Sequence, residues 1–144
     1  MYLENALREP GGITLLGEPV DLGRIDVPAC FVSALDDHIA PWKTIFSGAG
    51  LLGGEVSFLL GKAGHVAGII NPPGPKAYDH YVGPAVDTLT AEEWLSNATL
   101  RSGSWWESWS KWIDRFSGGE VPARTLGEGL EEAPGSYVRQ RDTT

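Results

Sequence analysis

Cysteine is almost absent from this chain: Cys30 stands alone among 144 residues. One thiol rules out an internal disulfide and fits a reducing compartment such as the cytoplasm. Basic residues are scarce too, with 11 Lys and Arg against 19 Asp and Glu and a formal net charge of −8. A surface of that sign does not follow a phosphate backbone and is repelled by an anionic membrane, so no nucleic-acid partner is expected. No apolar run approaches the ~20 residues that cross a bilayer, so no membrane span is expected. The opening Met1-Tyr2-Leu3-Glu4-Asn5 turns polar early and lacks the basic start of a signal peptide. The glycine-rich stretches have neither G-x-x-x-x-G-K nor G-x-G-x-x-G spacing, so they predict no phosphate cradle.

Turns, by contrast, are abundant. With 19 Gly and 10 Pro the elements must be short, and the 6 Trp are many for this length. Tyr2, Leu3, Ala6 and Leu7 fall at helical spacing, and Pro10-Gly11-Gly12 ends that segment. A helix end with so little before it suggests that Met1 is not the natural start of the fold. Residues 13–25 read as a small β-hairpin or an extended loop around Gly17-Glu18-Pro19. Ala29 to Leu35 is apolar on both faces, as a central parallel strand is. Pro41 opens a helix that carries Trp42, Ile45 and Phe46 inward. Glu55 to Leu60 is the next strand, which makes a βαβ unit with a parallel pair.

Residues 71–84 read as loop, because Asn71-Pro72-Pro73-Gly74-Pro75 fits neither helix nor central strand. Two helices follow, each opened by a capping box: Thr90-Ala91-Glu92-Glu93 and Ser104-Trp105-Trp106-Glu107. In the second, Trp105, Trp109, Trp112 and Phe116 share one face, which predicts core packing, with Trp106 at a rim. Beyond Gly118 the chain is polar and turn-rich, with Tyr137 and Val138 as the residues to dock it.

Two polar segments follow the two strands: Asp36-Asp37-His38 and Gly64-His65-Val66-Ala67-Gly68. Parallel neighbours end on one edge of a sheet, so an acid after one and a histidine after the next can meet there. Histidine is a useful base near neutral pH, and a carboxylate on its far ring nitrogen orients it and stabilises its cation. An α/β-hydrolase presents the last two members of its catalytic triad in this order. Asp37 and His65 are thus candidate acid and base, with Asp36 competing for the acid. The alternative is that Asp37 caps the following helix and His65 is an ordinary loop residue.

Cys30 lies inside an apolar run, not in a strand-to-helix elbow between small residues, so it reads as a buried, inert thiol. A metal site from Asp37, His38, His65 and His80 is conceivable, but no pair has usual zinc-ligand spacing, so no metal or other cofactor is expected.

At these residues the sequence resembles a known family. Asp37-His38-Ile39-Ala40-Pro41-Trp42, the run from Gly64 to Pro73, and Gly103-Ser104-Trp105-Trp106 look like the C-terminal part of class I poly(3-hydroxyalkanoate) synthase. Met1-Tyr2-Leu3-Glu4-Asn5 and Ala133-Pro134-Gly135-Ser136-Tyr137-Val138 add to the likeness. The resemblance implies an acyltransferase that polymerises (R)-3-hydroxyacyl-CoA into polyester and releases CoA. It implies an α/β-hydrolase fold with a Cys-His-Asp triad, a homodimer, and a place in the cytoplasm at the polymer granule surface. Asp37 matches that family's acid and His65 its base. The nucleophile's G-x-C-x-G elbow is missing here, so the expected fold class is α/β: the last parallel strands and C-terminal helices of an α/β-hydrolase. Residues 1–117 would be the C-terminal part of the catalytic domain and 118–144 an extended tail. Such a chain would be inactive alone. A non-catalytic module that binds granule or synthase, or half of another α/β-hydrolase, are the other readings.

Overall fold

The computed structural model of this chain describes every residue except 1–2, 87, 126, 128, 130 and 142–144. A 3-10 turn at Ala6–Arg8 comes first, in place of the expected helix end; Tyr2 lies outside the described residues. A minimal hairpin follows, β1 (Thr14–Leu15) against β2 (Glu18–Pro19).

The working part of the fold is a second sheet. Its strands are β3 (Ala29–Ala34), β4 (Val56–Gly61), β5 (His80–Val82) and β6 (Thr99–Arg101), in that spatial order. β3 and β4 are parallel from Ala29↔Val56 to Ala34↔Gly61. The crossover between them carries the helix α1 (Trp42–Ala49), as a parallel pair requires. β5 and β6 then run antiparallel to their neighbours, so the sheet is mixed. Two more helices, α2 (Ala91–Asn97) and α3 (Trp105–Asp114), complete an α/β arrangement.

Side chains alternate across a strand, and β4 shows it. Val56, Phe58 and Leu60 are buried on one face against Trp42, Phe46 and Ala49 of α1 and Trp94 of α2. The aromatic rings meet edge to face, with centroids 5.2 Å apart for both Phe46–Phe58 and Phe58–Trp94. That geometry suits the ring quadrupoles. The Trp94 Nε1–H donates to the Pro84 carbonyl at 2.9 Å, so the buried indole is satisfied. Leu59 is buried outside this cluster, on the face where α3 meets β4. α2 starts with the expected capping box between Thr90 and Glu93. At α3, Ser104 accepts from the Trp106 N–H, and Glu107 does not reach back.

Several expectations need correction. The stretch 71–84 is not all loop, because β5 forms once the prolines are passed. β3 pairs only with β4 among the described strands, so it lies at an edge and much of it is half-buried. The tryptophan face of α3 is not core: none of its residues is fully buried, and Trp109 is 42% exposed. The helix rests on one strand of a narrow sheet, which covers Trp105 and Trp112 only in part. Tyr137, at 85% exposure, and Val138 do not dock the tail.

Candidate active site

The β3–β4 ladder continues past its last strand residues. The Leu35 N–H donates to Gly61 O at 2.8 Å and the Asp36 N–H to Ala63 O at 3.1 Å. The chain then turns back, with Asp37 N–H on Ala34 O at 3.2 Å. This turn drives the Asp37 side chain inward. One carboxylate oxygen, Oδ1, accepts from the Ile39 and Ala40 N–H groups, each at 2.9 Å. The other, Oδ2, accepts from His65 Nδ1 at 2.9 Å. Asp37 therefore does not cap α1; its carboxylate closes its own turn and holds a histidine.

His65 arrives from the end of β4. Residues 64–70 form a helical turn, with Gly68 N–H on Gly64 O and Ile70 N–H on Val66 O, both at 2.8 Å. That turn lies directly on the sheet. A Cβ built on Gly68 would stand 2.4 Å from the Ala34 Cβ, and one on Gly61 would stand 2.5 Å from Gly68 O. Only glycine at both positions permits so close an approach.

The pair is electrostatically asymmetric. The Asp37 side chain is 5% exposed and that of His65 is 44% exposed. The Ala40 N–H, then the His65 ring, hold the Asp37 carboxyl down at about 2 from its ordinary 3.8, against partial desolvation. Near neutral pH Asp37 is thus ionised and can only accept. The His65 Nδ1 must carry the proton, which leaves the Nε2 lone pair of the neutral ring free. Nε2 has no hydrogen-bond partner among the described residues. An imidazole held this way can accept a proton on Nε2 and be stabilised as a cation by the carboxylate behind it.

The other candidates lie elsewhere. Asp36 and His38 are exposed beside the pair and make no side-chain bond to it. His80 is buried and bonds Gly103 O through Nδ1 at 2.8 Å and Ser108 Oγ through Nε2 at 2.7 Å. Among the described residues no group of three or more His, Cys, Asp or Glu converges as a metal site would. Cys30 is half-buried as the second residue of β3, and burial pushes its thiol up to about 11, which keeps it protonated. Sequence reasoning missed Asn71, whose buried side chain clasps both the N–H and the carbonyl of Tyr78, at 2.9 and 2.8 Å. It missed the anchoring roles of Ser104 and Trp105 as well, although both stand in the Gly103-Ser104-Trp105-Trp106 run.

Comparison with known proteins returns one family. The chain is 42% identical over 143 residues to the poly(3-hydroxyalkanoate) polymerase subunit PhaC of Rhizobium meliloti, covering 97% of this chain and 23% of that protein. It is 37% identical over 145 residues to the PhaC subunit of Cupriavidus necator, covering 97% and 24%. A poly(3-hydroxyalkanoate) polymerase of Methylorubrum extorquens gives 40% over 146 residues, again 97% and 24%. This chain matches the C-terminal portion of poly(3-hydroxyalkanoate) polymerases. It spans about a quarter of the length of the curated relatives it matches. No family model matches it. The likeness to the polymerases covers the strand-end turns that bring Asp37 and His65 together, because it runs over nearly the whole chain.

Proposed function

We propose that this chain is the acid- and base-bearing end of a poly(3-hydroxyalkanoate) polymerase with an α/β-hydrolase catalytic domain. In this reading residues 1–117 belong to that domain and 118–144 form a tail. The observation that carries it is the 2.9 Å bond from His65 Nδ1 to Asp37 Oδ2, with Nε2 left open, at the ends of neighbouring parallel strands. The substrate is an (R)-3-hydroxyacyl-CoA, and the nucleophile is a cysteine thiol from the part of the polymerase that this chain does not match.

The roles follow from the proton positions. His65 Nε2 takes the thiol proton, and the thiolate attacks the thioester carbonyl. The tetrahedral adduct collapses, the C–S bond to CoA breaks, and the imidazolium returns its proton to the departing thiolate. The acyl group now sits on the cysteine. A second unit's 3-hydroxyl attacks it, and its proton passes to the same site. An ester bond forms and the cysteine thiol is regenerated. Asp37 keeps His65 in the Nδ1–H tautomer and stabilises its cation throughout. No metal or other cofactor enters these steps. The complete enzyme would work as a homodimer at the granule surface.

The test is complementation. The Rhizobium meliloti relative, shortened by the portion that matches this chain, is mixed with this chain and 3-hydroxybutyryl-CoA, and CoA release is followed by a thiol assay. The mixture should release CoA, either protein alone should not, and His65→Ala should abolish release. Release by this chain alone, or release by the mixture that survives His65→Ala, overturns the reading and in the first case returns Cys30 to contention. Exposed Trp106, Trp109 and Phe116 favour a second reading, a non-catalytic docking module. That reading predicts co-purification with the shortened polymerase without any gain of activity.

A further inference from the structure

Beyond the Asp37–His65 pair, a chain of hydrogen bonds reaches the histidine turn from the start of α3. It begins at β5. Adjacent residues grip Gly103 through both of its backbone polar groups: Asp79 Oδ1 accepts from the Gly103 N–H at 3.0 Å, and His80 Nδ1 donates to the Gly103 carbonyl at 2.8 Å. Gly103 has φ +84, a left-handed conformation that favours glycine, and this grip fixes it there. The two residues that follow point their donors at the His65 loop. The buried Ser104 hydroxyl donates to Asn71 O, and the Trp105 Nε1–H donates to Ile69 O at 3.1 Å. Both accepting carbonyls lie just past His65. Ile69 and Ile70 are tied back to Val66 O at 3.1 and 2.8 Å, and the Asn71 N–H to Ile69 O at 3.0 Å, so both accepting residues are bonded into the His65 turn.

A half-exposed imidazole on a loop needs such support. Its bond to Asp37 tolerates only a few tenths of an ångström of drift before it fails, about 0.3 Å from 2.9 Å. The opposite side of the turn is set by the Gly68–Ala34 contact. The turn is therefore clamped between the sheet below and the first residues of α3 beside it.

We propose that Trp105 is a positioning residue for His65, acting through the Ile69 carbonyl, with Ser104 supporting it through Asn71. The proposal rests on His65 being the base of the polymerase reaction, but the clamp is measurable without catalysis. α3 carries its own control. Trp112 is also half-buried, and its indole N–H has no hydrogen-bond partner among the described residues. Trp→Phe at either position trims a ring, but only at 105 does it remove a bond that reaches His65.

The experiment reads the His65 tautomer from imidazole 15N shifts at mildly alkaline pH in the intact chain. Trp105→Phe should lower the ratio of Nδ1–H to Nε2–H tautomer about fivefold, the population change that one ordinary hydrogen bond is worth. Trp112→Phe should leave the ratio unchanged even if it lowers the melting temperature by as much. Ser104→Gly, which a helix N-cap tolerates well, provides a second arm with the same direction of change. An unchanged ratio in Trp105→Phe and Ser104→Gly, or equal changes in Trp105→Phe and Trp112→Phe, overturns the proposal. Where complementation restores CoA release, Trp105→Phe should lower kcat about fivefold with KM unchanged. A lost tautomer preference with no complementation would instead leave the clamp standing and refute the polymerase reading.

Discussion

Adding one methyl group at Gly68 should separate the catalytic candidates without touching either. Gly68 has no unusual φ, so the cost of Gly68→Ala is steric, not conformational. The new Cβ would lie 2.4 Å from the Ala34 Cβ, 2.8 Å from Gly64 O and 3.1 Å from Ala63 O. Carbon atoms rest about 3.5–4.0 Å apart, so the turn has to retreat by about 1 Å or more. Ala34 is fully buried at the end of β3 and cannot give way by that much. The Asp37–His65 bond, 2.9 Å long, has about 0.3 Å of slack, so the retreat exceeds it roughly threefold. Overpacking of this kind costs about 1–3 kcal/mol, or about 3–12 °C in Tm for a chain of this size. Calorimetry gives the first number and the His65 tautomer the second. Gly74→Ala is the control, since no described residue other than its chain neighbours lies within 4 Å of its Cβ position. It should be neutral or stabilise by up to about 1 kcal/mol through the unfolded state. A Gly68→Ala protein that melts with the wild type and keeps the Nδ1–H tautomer refutes the claim that the turn is seated by close approach.

The remaining predictions address charge, core and thiol. The Asp37 carboxyl titrates near 2 in the folded chain against an ordinary 3.8. A lowered folded value means that its contribution to stability is complete above roughly pH 5 and is lost as pH falls toward about 2. The urea midpoint gap between wild type and Asp37→Asn should therefore be widest at neutral pH and shrink at acid pH; a constant gap contradicts it. Trp94 is fully buried at the centre of the aromatic cluster, so Trp94→Ala should cost about 3–5 kcal/mol in denaturant unfolding. A loss below about 1 kcal/mol would show that the cluster is not the core. Cys30 titrates near 11 instead of 9.0, so its thiolate is about a hundredfold scarcer in the folded chain. Iodoacetamide should alkylate it at least that much faster in urea, and equal rates would remove the burial argument.

What the sequence revealed follows from the length of each signal. Ala29 to Leu35 and Glu55 to Leu60 are apolar runs long enough to announce strands, and Pro41-Trp42 announces the helix between them. Once those are in place, a parallel crossover puts both polar segments on one edge. β5 and β6 carry three residues each, too few for alternation to show. The α3 periodicity identified an apolar face but not what lies against it, and one strand covers it only partly. Residue pattern alone does not separate Asp36 from Asp37, because adjacent acids differ only in direction, and only the family resemblance favoured Asp37. The turn decides between them: the Ile39 and Ala40 N–H groups meet Asp37 and not Asp36.

The antiparallel strands also bring hydrogen-bonding groups to the candidate pair. In a wholly parallel sheet every strand would begin at the far edge, and Asp79-His80, at the start of β5, would lie a strand's length from His65. Here β5 runs backwards, so His80 stands opposite Gly61, the last residue of β4. β6 reverses again and ends with Arg101 opposite His80. The ends of β3, β4 and β6 and the start of β5 therefore gather on one edge. They bring with them, in chain order, Asp37, His65, the Asp79-His80 grip on Gly103, and the Ser104 and Trp105 donors. Two parallel strands suffice to bring an acid to a base, but they leave the histidine on an unsupported turn. The switch to antiparallel pairing supplies that support by setting the start of β5 and the end of β6 beside the end of β4.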